Sequence, residues 1–175
     1  ILNFEFPKPK AKNCEDKKST NYRKILSVKG LIRMNSAEFR EAAIYFDSAA
    51  SLALKLKDTL KFCEMLDNEA QSLRNANRYV ESFSTYFNAL KYANDDSRLD
   101  IKSDLLNGIG VSYDNIFDHE NALKYYRLSI QASRKLQDKY KEKNTILNMS
   151  YALTGVGKID SSNFVLQDII HQNMP

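Results

Sequence analysis

Proline is absent from Lys10 to Met174; the three prolines of this 175-residue chain are Pro7, Pro9 and Pro175. Glycine is nearly as scarce, at five residues, and tryptophan is missing. A β-rich fold needs a Gly- or Pro-bearing turn roughly every 8–12 residues, so the composition excludes one and leaves long helices joined by short loops. No apolar run approaches the ~18 residues of a membrane span, and no membrane segment is expected. The two cysteines, Cys14 and Cys63, make neither a disulfide framework nor a metal-ligand spacing; both are expected as unpaired thiols. A net charge of +4 is mild. Its one basic stretch carries Lys8, Lys10, Lys12, Lys17 and Lys18 against Glu15 and Asp16. Residues 1–18 are therefore read as a solvated lead-in rather than a nucleic-acid or membrane contact. No signal-peptide pattern and no Met open the chain, so a processed or excised piece is expected. Cytoplasm and periplasm both stay open as its compartment.

What the chain does contain is a repeat. Shifted by 40 residues, the segments 23–62, 63–102, 103–142 and 143–175 align without gaps. Leu26, Leu66, Leu106 and Ile146 form one column, and Gly30, Ala70, Gly110 and Ser150 form a small-residue column four positions on. Ala42, Ser82, Ala122 and Ser162 form a second small column, twelve further on. Phe46, Tyr86, Tyr126 and Leu166 follow, then Ala49, Ala89, Ser129 and Ile169. Positions i and i+4 share one helical face, as do i, i+4 and i+7. Each repeat is thus a pair of helices whose small residues allow close approach and whose aromatic residue fills the space between layers. The breaks fall at Asn35–Ala37, Asn75–Asn77, Asn115–Phe117 and Gly155–Gly157, where Asn and Gly tolerate the left-handed conformation that ends a helix. Phe117 is a poor left-handed residue, so an irregular turn is expected there. One pair cannot bury its apolar face alone; four stacked pairs can.

This small–small–aromatic–small pattern resembles the tetratricopeptide repeat over residues 19–175, most closely in the third repeat, LLNGIGVSYDNIFDHENALKYYRLSI. The usual period is about 34 residues, and the closing proline of that repeat is missing here, so a 40-residue variant is implied. The resemblance implies an all-α, right-handed superhelical solenoid of four antiparallel helix pairs, with the first helix of each pair lining a concave groove. The groove-facing candidates are then the first-helix residues off the Leu26/Gly30 face. They include Leu31 and Met34 in the first repeat, and Glu64, Asp67, Asn68, Gln71, Arg74 and Asn75 in the second. Asp104, Asn107, Gly108, Val111, Asp114 and Asn115 follow in the third, and Asn144, Leu147, Asn148, Tyr151 and Thr154 in the fourth.

Catalytic chemistry is hard to find. His119 and His171 lie far apart and read as surface histidines. Gly108-Ile109-Gly110 lies inside a helix-periodic stretch with no preceding strand, so it is no phosphate loop. No cofactor, no metal and no enzymatic activity are expected. The recurring amides Asn68, Gln71, Asn75, Asn107, Asn115 and Asn148 each carry donor and acceptor and so can pair with a peptide backbone; ordinary solvation of an Asn-rich chain accounts for them equally. Leu31, Met34, Leu147 and Tyr151 serve either as ligand pockets or as core-edge residues. A carboxylate clamp of the chaperone-binding kind would need cations or amides at Ser27, Leu31, Asn68, Asp104 and Gly108, and only Asn68 fits. With Glu64, Asp67, Asp104 and Asp114 outweighing Lys24 and Arg74, the groove is expected to prefer a neutral or basic peptide.

The last helix carries Phe164, Val165, Ile169 and Ile170, an apolar spread wider than one packed stripe needs. These are interface candidates, for a continuing chain, a partner or a second copy. The expected function is a peptide- or protein-binding module, the sensor or scaffold part of a larger regulatory protein. A structural assembly scaffold is the alternative, and part of a DNA-binding regulator a further one. No nucleic-acid contact is expected for this segment itself.

Overall fold

The computed structural model describes residues 12–94 and 96–171. Among them are eight helices and no strand: α1 (Lys12–Asn35), α2 (Phe39–Lys55), α3 (Thr59–Asn75), α4 (Tyr79–Tyr92), α5 (Leu99–Asn115), α6 (His119–Leu136), α7 (Lys139–Gly155) and α8 (Ile159–His171). They form the four expected pairs. α1 opens at Lys12, inside the stretch read as a lead-in; the residues before it, and the side chain of Cys14, lie outside the described part.

The turns keep the 40-residue register. Ala37, Asn77, Phe117 and Gly157 close the first helices at φ 59°, 60°, 62° and 76°, and Lys57 and Gln137 close α2 and α6 at 58°. At Phe117 two bonds seal the helix end, its own N–H to the Asp114 carbonyl at 2.9 Å and the Asp118 N–H to the Tyr113 carbonyl at 3.0 Å. The same pair recurs at Asn77, at 2.9 and 2.9 Å. This is the Schellman arrangement, and it holds Phe117 in the left-handed region as firmly as it holds Gly157. The irregularity expected at Phe117 is instead between α4 and α5. There α4 stops at Tyr92 and a single 3-10 turn, Asp96–Arg98, precedes α5, with no left-handed residue among the described residues of the junction. Asp58, Asp118 and Asp138 cap α3, α6 and α7 by accepting from the N–H three residues on, a contribution of about 1 kcal/mol each.

The two small columns face each other as their spacing requires. Ser82 Oγ donates to the Ala70 carbonyl at 2.8 Å and Ser162 Oγ to that of Ser150 at 2.9 Å. Beside them the aromatic column is fully buried at Phe46, Tyr86 and Tyr126. A Cβ on Gly110 would lie 2.5 Å from the Tyr126 ring, so that residue has to be glycine. Buried hydroxyls tie the third pair together and join it to the fourth: within the pair Ser103 Oγ lies 2.6 Å from Ser133 Oγ, and across to α7 Ser129 Oγ lies 3.1 Å from Thr145 Oγ1. Cys63 occupies the register of Ser103 and donates its thiol to the Ala89 carbonyl at 3.7 Å. Its burial pushes the thiol pKa up, the environment of an inert structural cysteine.

α3 packs on α5 and α5 on α7, so successive first helices approach one another. Successive second helices stand farther apart, with clefts between them. The first helices therefore line the inner side of the stack and the second helices its outer side.

Candidate functional site

On the inner side, one pocket of ≈ 330 Å³ is shared by three consecutive first helices. α3 contributes Asp67, Gln71 and Arg74, α5 contributes Asp104, Asn107 and Val111, and α7 contributes Asn148. Equal 40-residue spacing places these side chains at matching heights, because each repeat presents the same face one step along the stack.

Its amides are paired across the α5–α7 seam: Asn148 Nδ2 donates to Asn107 Oδ1 at 3.0 Å. That bond consumes one donor and one acceptor. The pair still presents the Asn107 amino group and the Asn148 carbonyl, one donor and one acceptor, which is what a peptide unit requires.

The charges are also organised. Lys141 Nζ donates to Asp104 Oδ2 at 2.7 Å and to the Asp100 carbonyl at 2.9 Å. Asp67 lies half-buried beside them, and burial together with the Asp104 charge pushes its pKa up to about 7, against the pull of Arg74 and Lys141. Arg74 Nη1 donates to the Gly108 carbonyl at 3.3 Å and to the Tyr86 hydroxyl at 3.4 Å, while its Nε is buried without a partner.

Several sequence-derived positions move. Gly108 keeps its place in the groove through its backbone: it is buried, yet it lines the inner pocket and its carbonyl accepts from Arg74, and a Cβ there would lie 2.5 Å from the Tyr86 ring. Asp114 is only 6% exposed. It accepts the Tyr126 hydroxyl at 2.6 Å and contacts His119 Nδ1 at 2.8 Å. His119 is correspondingly no free surface histidine, since its ring packs over Gly155 and meets Phe117 and Tyr151 edge-on. Met34 is half-buried against the core, its Sδ 3.7 Å from Ser72 Oγ. Glu64 is bridged to Lys61 at 2.7 Å. Of the four acids expected to charge the groove, three are therefore bound by the protein's own cations or hydrogen-bond donors, and Asp67 remains.

Other candidates lie outside the pocket. Asn75 and Asn115 are exposed at the last residues of α3 and α5, Leu31 and Tyr151 are exposed elsewhere on first helices, and Asn68 is half-buried. On α8, Phe164 is 72% exposed and Val165 half-buried, but Ile169 is 8% exposed and faces the protein. Ile169 is thereby removed as an interface residue; the side chain of Ile170 lies outside the described residues. Among the described residues no three His, Cys, Asp or Glu are grouped to hold a metal ion, and no helix is long and apolar enough to cross a membrane.

The sequence reading missed one regularity. The last-turn column Met34, Arg74, Asp114 and Thr154 faces the aromatic column twelve residues on. A polar group stands there opposite each tyrosine hydroxyl, Arg74 at Tyr86 and Asp114 at Tyr126. Phe46 and Leu166 carry no hydroxyl. The signal was in the sequence, as a coincidence of polar residues and hydroxyls at a spacing of twelve.

No protein-family model and no curated protein matches this chain. Solved structures do. The apo form of RapI superposes with a TM-score of 0.74 at 10% identity over 86% of this chain and 42% of that one. BtubC (BKLC) from P. vanneervenii superposes with a TM-score of 0.70 at 14% identity over 87% of this chain and 66% of that one. The chain thus spans less than two thirds of the length of either neighbour. At these identities the likeness shows the fold alone: an all-α, TPR-like solenoid of stacked helix pairs.

Proposed function

We propose that this chain is a non-catalytic peptide-binding module of the tetratricopeptide kind, the recognition part of a longer regulatory or scaffold protein. The observation that carries this reading is the Asn107–Asn148 pair, held across two repeats with one donor and one acceptor still free. An extended segment laid along the inner side would bond its backbone there without its side chains being read. Preformed helices keep the ordering cost of such binding low. Asp67, the inner-face acid without its own cation, favours a ligand that brings a donor or a positive group, so a neutral or basic peptide is preferred over an acidic one.

An array of extended peptides differing only in Lys or Asp content tests this. The Lys-containing members are expected to bind more tightly, and Asp67→Asn is expected to reduce the difference. Tighter binding of the Asp-rich members would sink the charge preference.

A further inference from the structure

The three outer clefts between second helices differ in the side chains that stand at four register positions. Between α4 and α6 they are Phe83, Phe87, Tyr113 and Tyr125. Phe83 lies 4.6 Å from Tyr113, Tyr113 stacks on Tyr125 at 5.5 Å, and Tyr125 meets Phe87 at 6.1 Å, centroid to centroid. That cleft is plugged by the chain's own rings. Forty residues later the same positions are Leu123, Arg127, Leu153 and Val165; Leu123 and Leu153 are buried in the core, and Arg127 and Val165 line the cleft. Where Phe87 and Tyr125 give way to Arg127 and Val165, a cavity of ≈ 500 Å³ opens between α6 and α8, floored by Ile130, Ile146 and Met149 and walled by Leu128, Phe164 and Val165. Its size is that of a ligand cleft rather than a packing flaw.

The rim is cationic. Arg127 is exposed and has no ion-pair partner among the described residues, and Arg134 shares the Glu142 carboxylate with Lys139, at 2.6 and 3.0 Å. Lys124, one residue before Tyr125, is exposed on the same helix. The repeat does not dictate these charges, because Lys124, Arg127 and Arg134 replace Ile44, Asp47 and Leu54 of the first repeat.

We propose that the α6–α8 cleft is a second docking site, for an acidic protein segment that inserts aromatic side chains. The plugged cleft one repeat earlier shows that rings fit this backbone register, and the arginines select acidic flanks. A protein segment is favoured over a lipid surface because the apolar floor is recessed between two helices, out of reach of a flat bilayer.

The test is a display library of randomised helices of about 16 residues, selected on the wild-type chain and counter-selected on Arg127→Phe/Val165→Tyr, which rebuilds the plug. Enriched sequences are expected to combine Phe, Tyr or Trp with Asp or Glu. They should bind about tenfold more weakly to Arg127→Glu and to the plugged variant, and should be unaffected by Asn107→Ala on the inner side. Circular dichroism checks that the plugged variant folds; should it fail to fold, Arg127→Glu and the exposed Phe164→Ser carry the comparison. No enrichment, enrichment without acidic residues, or equal binding to Arg127→Glu overturns the proposal. So does stronger Phe164-dependent capture on phosphatidylglycerol vesicles, or a dimer in light scattering that Phe164→Ser dissolves.

Discussion

The α4–α6 cleft and the α6–α8 cleft stand one repeat apart on the same backbone register, yet one is filled by partly buried rings and the other is open space. Two rings, Phe87 and Tyr125, stand where the open cleft has Arg127 and Val165, and they make the difference. In a repeat array the backbone supplies the same inter-helix space many times over. The side chains at fixed register decide which copies become hydrophobic core and which become sites. The inner side follows the same rule: one column puts Arg74 beside Tyr86 and Asp114 beside Tyr126, opposite charges serving one structural purpose.

The largest effect that would break the comparison is removal of the plug. Phe83→Ala should cost about 3 kcal/mol, read as a shift of the urea midpoint, whereas Phe164→Ala in the open cleft should cost less than about 0.5 kcal/mol. Equal costs would mean that the two clefts are packed alike. Next come the two tyrosine hydroxyls. Tyr126→Phe takes a 2.6 Å donor from the buried Asp114 carboxylate and should cost about 2 kcal/mol. Tyr86→Phe leaves Arg74 its bond to the Gly108 carbonyl and should cost about 1 kcal/mol or less.

The smallest effect belongs to the first outer cleft, between α2 and α4, which Ala43, Asp47, Leu73 and Thr85 line at the same four positions. Glu69 sits in it with Oε2 buried and unpartnered, and burial together with the Asp47 charge pushes its pKa up to about 7. The folded chain then keeps a proton that the unfolded chain releases in the ordinary carboxylate range. Stability therefore falls as pH rises from that range to about 7. Asp67 adds to the fall in the same sense. Glu69→Gln should narrow the difference between the melting temperatures at pH 5 and pH 8; an unchanged difference would contradict the assignment.

The helix pairs were legible because their signals are local. Columns at i and i+4, and at i, i+4 and i+7, read directly as helix faces, and the Asn and Gly breaks fell where the left-handed residues stand. Phe117 was misjudged because the two-bond closure of the helix end, and not the residue type, sets the turn. Asp114 was misplaced for a different reason. Reading a groove as whatever lies off the Leu26/Gly30 stripe ignores that a tyrosine of the second helix reaches back over the last turn of a first helix. The outer clefts were out of reach altogether. Phe83, Tyr113 and Tyr125 meet from three helices, and no periodicity within one helix announces that meeting.

The central claim is that the paired amides of the inner side hold an extended peptide. Isothermal titration of the tightest peptide from the extended array into wild type and Asn107→Ala/Asn148→Ala tests it most directly. The account expects the double substitution to weaken binding about tenfold or more while the melting temperature stays within a few degrees. Unchanged affinity, or loss of affinity on Arg127→Glu instead, would contradict it.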